Sequence, residues 1–229
     1  MPLFYAFKNT IHKLLGVLLL LIASHGYASS AKNDDPGNWA PIHFENLSPD
    51  CQQTFAGLTR RETVYSPFRE TRTLAFRKKP ILFLGDMWIA RGKALYIQYL
   101  EPRAYTVVIT KDSIFRYTPN KEGTLSKDSI EDKRLTAVNT LLYALINAEF
   151  ENLEQDFAIE GQQRENSWQL RLTPRSEDCL DTLKSCTLTG HSDTLAEIQF
   201  QRSSKSSITI AIMAPEEITS LPESLLPLQ

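Results

Sequence analysis

Between Val64 and Pro119 apolar and polar residues alternate, and short turn signals separate the runs. Side chains with a period of two belong to strands that bury one face and solvate the other. The pattern predicts strands over 65–74, 81–90, 94–100, 105–110 and 113–118, with Gly92-Lys93 as a hairpin turn between the second and third. Consecutive strands with short connections make an antiparallel sheet. Met87, Ile89, Leu95, Ile97, Val107 and Ile109 form the more apolar set and are the expected enclosed face. Tyr99 continues the Leu95 and Ile97 face, and Trp88 has the opposite parity. Arg91 falls in the enclosed set by parity. A charge there needs a partner, unless it sits at the strand end and reaches water.

The pattern changes to a helical period over 130–148. Leu135, Val138, Leu141, Leu142, Leu145 and Ile146 recur at that spacing with no Gly or Pro between them. This helix is expected to cover the sheet. A shorter helix begins at Pro49, with Ser48 as its N-cap and Phe55 and Leu58 on one side. Residues 120–131 read as a polar loop, and 153–159 as a turn of helix entering a strand. Later strands are expected over 167–173, 186–188, 196–202 and 206–213, with a proline-rich surface arm from 215 onward whose Leu221, Leu225 and Leu226 are the residues to pack it. Strands first and a few helices as cover define a mainly β, α+β class.

Lys8 and Lys13 precede an apolar run from Leu14 to Ala23, and small residues follow. That is the form of a secretory signal peptide, with cleavage expected after Ala28. The run is shorter than the ~20 residues a spanning helix needs. The expected organisation is a signal peptide over 1–28, a flexible lead-in over 29–48, and a single domain over 49–229. The formal charge of −2 becomes −4 once the two leader lysines are removed, which gives no reason to expect nucleic acid. Export permits disulfides. Cys179 and Cys186 are close enough in sequence to pair, and three buried thiols, with Cys51, are the other reading.

Catalytic motifs are absent from the sequence: there is no HExxH, CxxC, GxSxG or phosphate-cradling glycine loop. His191, Ser192 and Asp193 fall in an apparent turn, where Ser and Asp are expected without any catalytic role. Glu70 and Glu101 have no feature that brings them together. A non-enzyme with no cofactor and no metal is the expectation. The basic turn Arg77-Lys78-Lys79-Pro80 reads as a solvated loop.

Two segments carry a family resemblance. GDMWIARGKALYIQYLEPRAYTVVITKDSIFRYTP, from Gly85 to Pro119, resembles the central strands of the LolA-like family of periplasmic lipoprotein carriers. FRETRTL, from Phe68 to Leu74, resembles that family's F-x-(Q/E)-x-R start. The resemblance implies an incomplete antiparallel β-barrel closed by a helical lid over an apolar cavity. It implies that Leu95, Ile97 and Tyr99 face that cavity and that Arg91 holds the lid. With these, the expected ligand-binding set is Met87, Ile89, Arg91, Leu95, Ile97, Tyr99, Val107, Ile109 and Leu142. It further implies a monomer in the periplasm of a Gram-negative envelope. Such a protein ferries acyl chains of a lipid or lipoprotein from an inner-membrane transporter to an outer-membrane acceptor. A lipid-sensing regulatory module and an accessory structural protein of a lipid exporter are the alternatives.

Overall fold

In the computed structural model, the residues described are 39–228, apart from 121, 131–132, 148 and 165–166. The expected signal peptide and the lead-in as far as residue 38 lie outside them. In chain order the strands are β1 Ala40–Pro41, β2 Thr63–Thr73, β3 Ile81–Ala90, β4 Ala94–Glu101, β5 Tyr105–Ile109, β6 Ile114–Pro119, β7 Leu125–Ser129, β8 Phe157–Arg164, β9 Ser167–Pro174, β10 Ser185–His191, β11 Thr194–Ser203, β12 Ser206–Ile212 and β13 Glu216–Glu217. The helices are α1 Pro49–Arg60, α2 Lys133–Asn147, α3 Phe150–Asp156 and α4 Glu177–Leu180.

All strands join one antiparallel sheet in the order β1-β8-β9-β10-β11-β12-β2-β3-β4-β5-β6-β7, and β13 adds to β2. The two ends of this order do not pair, so the sheet is an unclosed barrel. β2 is the hinge of the topology: it pairs with β12 from the C-terminal half and with β3 from the N-terminal half. The helices are gathered on the concave side, where β3, β4 and β5 turn Met87, Leu95, Ile97 and Ile109 into one large core with Leu141, Leu142 and Leu145 of α2. On α2, Leu141, Leu142, Ala144, Leu145 and Ile146 are all buried. A single stripe would not account for this. α1 and α3 also lie against α2 and cover its other sides.

Local chemistry explains the boundaries. The Ser48 hydroxyl accepts from the Cys51 amide at 3.4 Å and Pro49 opens α1, as expected. The β3–β4 hairpin turns at Gly92, whose φ of 69° suits a residue without Cβ. Gly85 is needed for packing. A Cβ there would lie 2.2 Å from the Gln98 carbonyl and 2.8 Å from the Phe68 ring.

Several expectations are corrected. The Cys179–Cys186 bond is not formed, and all three cysteines are free thiols. Cys186 is wholly buried on β10, whereas Cys179 is half-buried on α4. The α4 turn is closed instead by the Thr182 and Leu183 amides donating to the Cys179 carbonyl at 3.0 and 2.9 Å. The segment read as a polar loop contains β7, and α2 begins at Lys133. The described part of the lead-in belongs to the fold: β1 pairs with β8, and Phe44 and Leu47 are buried. The C-terminal arm packs through Leu221 and Leu225 as expected, on the convex face, with Leu228 rather than the exposed Leu226 completing the contact. There Leu225 and Leu228 cover Trp88, Tyr96, Val108 and Tyr117, and the Tyr117 hydroxyl donates to the Leu228 carbonyl at 3.2 Å.

Candidate functional site

Cross-strand register decides what faces the concave side. Met87 pairs with Ile97, Ile97 with Val107, and Val107 with Arg116. One row later Ile89, Leu95, Ile109 and Ile114 are paired in turn. Paired residues share a face, so both rows project to the same side. From the other half of the sheet come Phe200 on β11 and Ile208 and Ile210 on β12. Val138 and Leu142 of α2 complete the enclosure of a cavity of ≈ 110 Å³.

The cavity wall is apolar except at one end, where charged and hydroxyl groups collect. Glu70 is 1% exposed and Arg72 is fully buried, two residues apart on the inner face of β2. Arg72 Nε donates to Glu70 Oε1, and its Nη2 lies 3.4 Å from the Tyr105 hydroxyl. The Tyr99 hydroxyl donates to Glu70 Oε2 at 2.7 Å. The guanidinium rests 3.9 Å from the centre of the Phe83 ring, and the Tyr99 and Tyr105 rings stack at 4.4 Å. Burial opposes the Arg72 charge most strongly, but the Glu70 carboxylate together with the Tyr99 and Tyr105 hydroxyls outweighs it, so Arg72 is held more firmly protonated than usual. Burial first, with Glu70 second, pushes Tyr99 well above its ordinary value. Burial likewise pushes Tyr105 up to about 12 against the opposing pull of Arg72. Both phenols therefore remain neutral donors at physiological pH.

Arg116 and Arg202 also reach the wall, as do Thr182 and Leu183 from the turn between α4 and β10. Arg116 Nη2 donates to Asp128 on β7 at 2.7 Å, and Arg202 Nε donates to the Thr182 carbonyl at 3.4 Å. At the other end the cover is tied down by the backbone. The Gly92 amide donates to Asn147 Oδ1, at the end of α2, at 2.8 Å.

Of the residues expected to bind ligand, Ile97, Tyr99, Val107, Ile109 and Leu142 line the cavity. Met87 and Leu95 are buried on the same face, and Ile89 packs against the same core, but none of the three lines the space. Arg91 is not on the enclosed face. It is exposed in the turn after β3, where Gly92 reverses the chain before another inward position is reached. The neighbouring Gly92 amide reaches the end of α2 through Asn147. The inward charges Glu70 and Arg72 were carried by the FRETR segment and could be found by its parity with Phe68. Phe200 and Arg202 come from distant β11 and Thr182 from the turn before β10, and no local signal marks them. His191, Ser192 and Asp193 form the exposed β10–β11 turn, and Glu101 is exposed at the end of β4, away from buried Glu70. Among the described residues there is no His/Cys/Asp/Glu cluster able to hold a metal, and no helix is long and apolar enough to cross a membrane.

The family described as "Outer membrane lipoprotein carrier protein LolA-like" matches residues 45–214. An outer-membrane lipoprotein carrier protein of Chromohalobacter salexigens is 27% identical over 127 residues, which are 56% of this chain. The chain matches 57% of that relative's length. Among solved structures, the LolA superfamily protein NE2245 of Nitrosomonas europaea aligns with 78% of this chain and 97% of its own, at 9% identity and a TM-score of 0.41. MucB in complex with MucA aligns with 76% of this chain and 57% of its own, at 10% identity and a TM-score of 0.41.

Proposed function

Starting from the fact that this chain belongs to the LolA-like outer membrane lipoprotein carrier family, we propose that it is a periplasmic carrier of acyl chains. It takes a lipid or lipoprotein from the inner membrane and gives it up at the outer one. The observation that supports this most directly is the apolar cavity between the concave sheet and α2.

The mechanism follows from its size. Its ≈ 110 Å³ falls below the roughly 150 Å³ of an apolar cavity that admits benzene. A few methylenes fit, and a whole acyl chain does not. Loading therefore requires α2 to move off the sheet, and the ligand selects the opened state. Each methylene taken from water is worth ~0.8 kcal/mol, so a twelve-carbon chain gains roughly 9 kcal/mol gross. Displacing Val138 and Leu142 from the core they pack in, and losing the Gly92–Asn147 bond, offset part of that gain. The remainder is held in the range where cargo is soluble and still releasable.

The test is lipid extraction and mass spectrometry of protein purified from the periplasm, with uptake of a fluorescent fatty acid measured alongside. Val107→Trp fills the cavity. It is expected to cut uptake at least tenfold while overpacking costs only ~1–3 kcal/mol of stability. No bound acyl species together with no uptake by the unaltered protein refutes the carrier function.

A further inference from the structure

Five large apolar side chains are exposed among the described residues, and three of them, Phe76, Leu100 and Leu125, stand at one end of the sheet. The register puts them there. Arg72 pairs with Ile81, Leu84 with Glu101, Tyr99 with Tyr105, Thr106 with Tyr117 and Pro119 with Leu125. The β2–β3, β4–β5 and β6–β7 connections therefore leave the sheet together, at the end opposite the Gly92 hairpin. Phe76 is 69% exposed and is held in that position. Leu74 and Ile81 are buried on either side of it, and the Arg77 amide donates to the Leu74 carbonyl at 3.1 Å, which closes a turn with Phe76 at its outer corner. Exposed apolar residues scattered singly call for no explanation, whereas three on neighbouring turns mark a contact surface.

The form of this surface selects its partner. Phe76 and Leu125 are separated by the strand spacings from β3 to β7, roughly 20 Å. Exposed polar residues stand between them, among them Glu101, Arg103 and Glu122. A protein partner needs a contiguous apolar centre from which water is excluded, and separate points on turn tips do not make one. A lipid interface is fluid and takes in each side chain separately. Charges of both signs lie on the rim, Lys78, Arg103 and Lys205 with Glu101 and Glu122, so the apolar side chains are the anchor. The polar end of the cavity lies at the same end of the sheet, because Tyr105 opens β5, Tyr99 is close to the end of β4 and Arg202 is close to the end of β11.

We infer that this rim docks on the surface of a phospholipid bilayer. Phe76 inserts below the headgroups, Leu100 and Leu125 enter beside it, and the polar end of the cavity is turned toward the lipid. This goes beyond the acyl-carrier function and rests on it only for the use of the contact, which is to bring the cavity to the membrane that supplies or receives the cargo. Three side chains hold weakly, and half-saturation is expected on the order of 1 mM lipid, weaker than the ~0.1 mM of a myristoyl chain. A shuttle that must leave each membrane needs a contact of that strength.

Co-sedimentation of protein purified from the periplasm with vesicles of phosphatidylcholine, and separately of phosphatidylglycerol, measures the contact. Binding to both is expected, and binding to phosphatidylcholine should persist in about 1 M salt, where charges are screened beyond ~3 Å. Phe76→Ser should weaken it on the order of tenfold, the worth of one buried aromatic side chain. Adding Leu100→Thr and Leu125→Thr should abolish it. The fluorescence of Phe76→Trp should be quenched by brominated phosphatidylcholine. All three positions are exposed, so unfolding midpoints and uptake of a fluorescent fatty acid from solution should stay as in the unaltered protein. Vesicle binding that survives the triple substitution overturns the inference. So does binding to phosphatidylglycerol alone that salt abolishes, because the contact is then electrostatic. Self-association abolished by Phe76→Ser, without vesicle binding, overturns it and makes the rim a contact between copies of the chain. Absence of vesicle binding with fatty-acid uptake intact overturns it and leaves the carrier function standing, and absence of both overturns both.

Discussion

Replacing Arg72 by Met leaves the Glu70 carboxylate inside the barrel with only the Tyr99 hydroxyl to satisfy it. Both residues of the pair are at most 1% exposed, so water cannot take the place of the guanidinium. Removing one member of such a pair costs about 3–5 kcal/mol, a figure that includes the uncompensated charge. For a domain of this size each kcal/mol shifts the melting temperature by ~2–4 °C. Arg72→Met should therefore melt roughly 6–20 °C lower. The informative comparison is the double variant Glu70→Gln/Arg72→Met. Gln keeps an acceptor for Tyr99 and carries no charge, so the double variant should recover about 2 kcal/mol relative to Arg72→Met. Urea denaturation with unchanged m-values measures both, and the cycle gives the coupling. A loss below 1 kcal/mol in Arg72→Met would refute the reasoning. So would a double variant as unstable as the sum of the singles, because either result means that the pair is solvated or uncoupled.

Three further outcomes are expected. Thiol labelling of the native protein should modify Cys179 and spare Cys51 and Cys186, which are buried and whose thiols burial pushes upward, Cys51 to about 12; three equivalents in denaturant and one without it is the result to look for. Tyr105 and Tyr99 titrate higher folded than unfolded, where tyrosine titrates near ~10. Their contribution to stability is thus complete below about pH 10 and is lost as the pH rises toward and past 12, which urea midpoints from pH 8 to pH 11.5 should trace. A phenolate titration in which every tyrosine ionises near 10 in the folded state contradicts this. Leu225→Ala should cost ~2–5 kcal/mol, since Leu225 is 1% exposed against Trp88 and Tyr96, and should red-shift tryptophan emission.

The central strands could be read from the chain because β3 to β6 are short apolar-rich runs bounded by turn signals, and the hairpin at Gly92 sits between two of them. β7 could not, because all five of its residues are exposed and an edge strand without a buried face has no apolar period. Parity placed Ile97, Tyr99, Val107 and Ile109 correctly but could not separate cavity from filled core. Met87 and Leu95 share the face and lie where the fold packs solid. Of the two readings of Arg91, the strand end reaching water is the one the fold adopts: parity carries alternation one residue past Ala90, where the strand stops. Gly190 shows what tertiary context adds. A Cβ there would come within 2.1 Å of the Trp168 indole, a contact made across β9 and β10 and invisible in either strand alone.

The C-terminal arm gives the half-barrel a stiff back. Trp88, Tyr96, Val108 and Tyr117 are clamped from behind by Leu225 and Leu228, so β3 to β6 are packed on both sides and yield little to pressure from within. In the proposed carrier, what gives way when a guest enters is then the helical side, with the wall behind the guest as the anvil against which α2 is pushed aside.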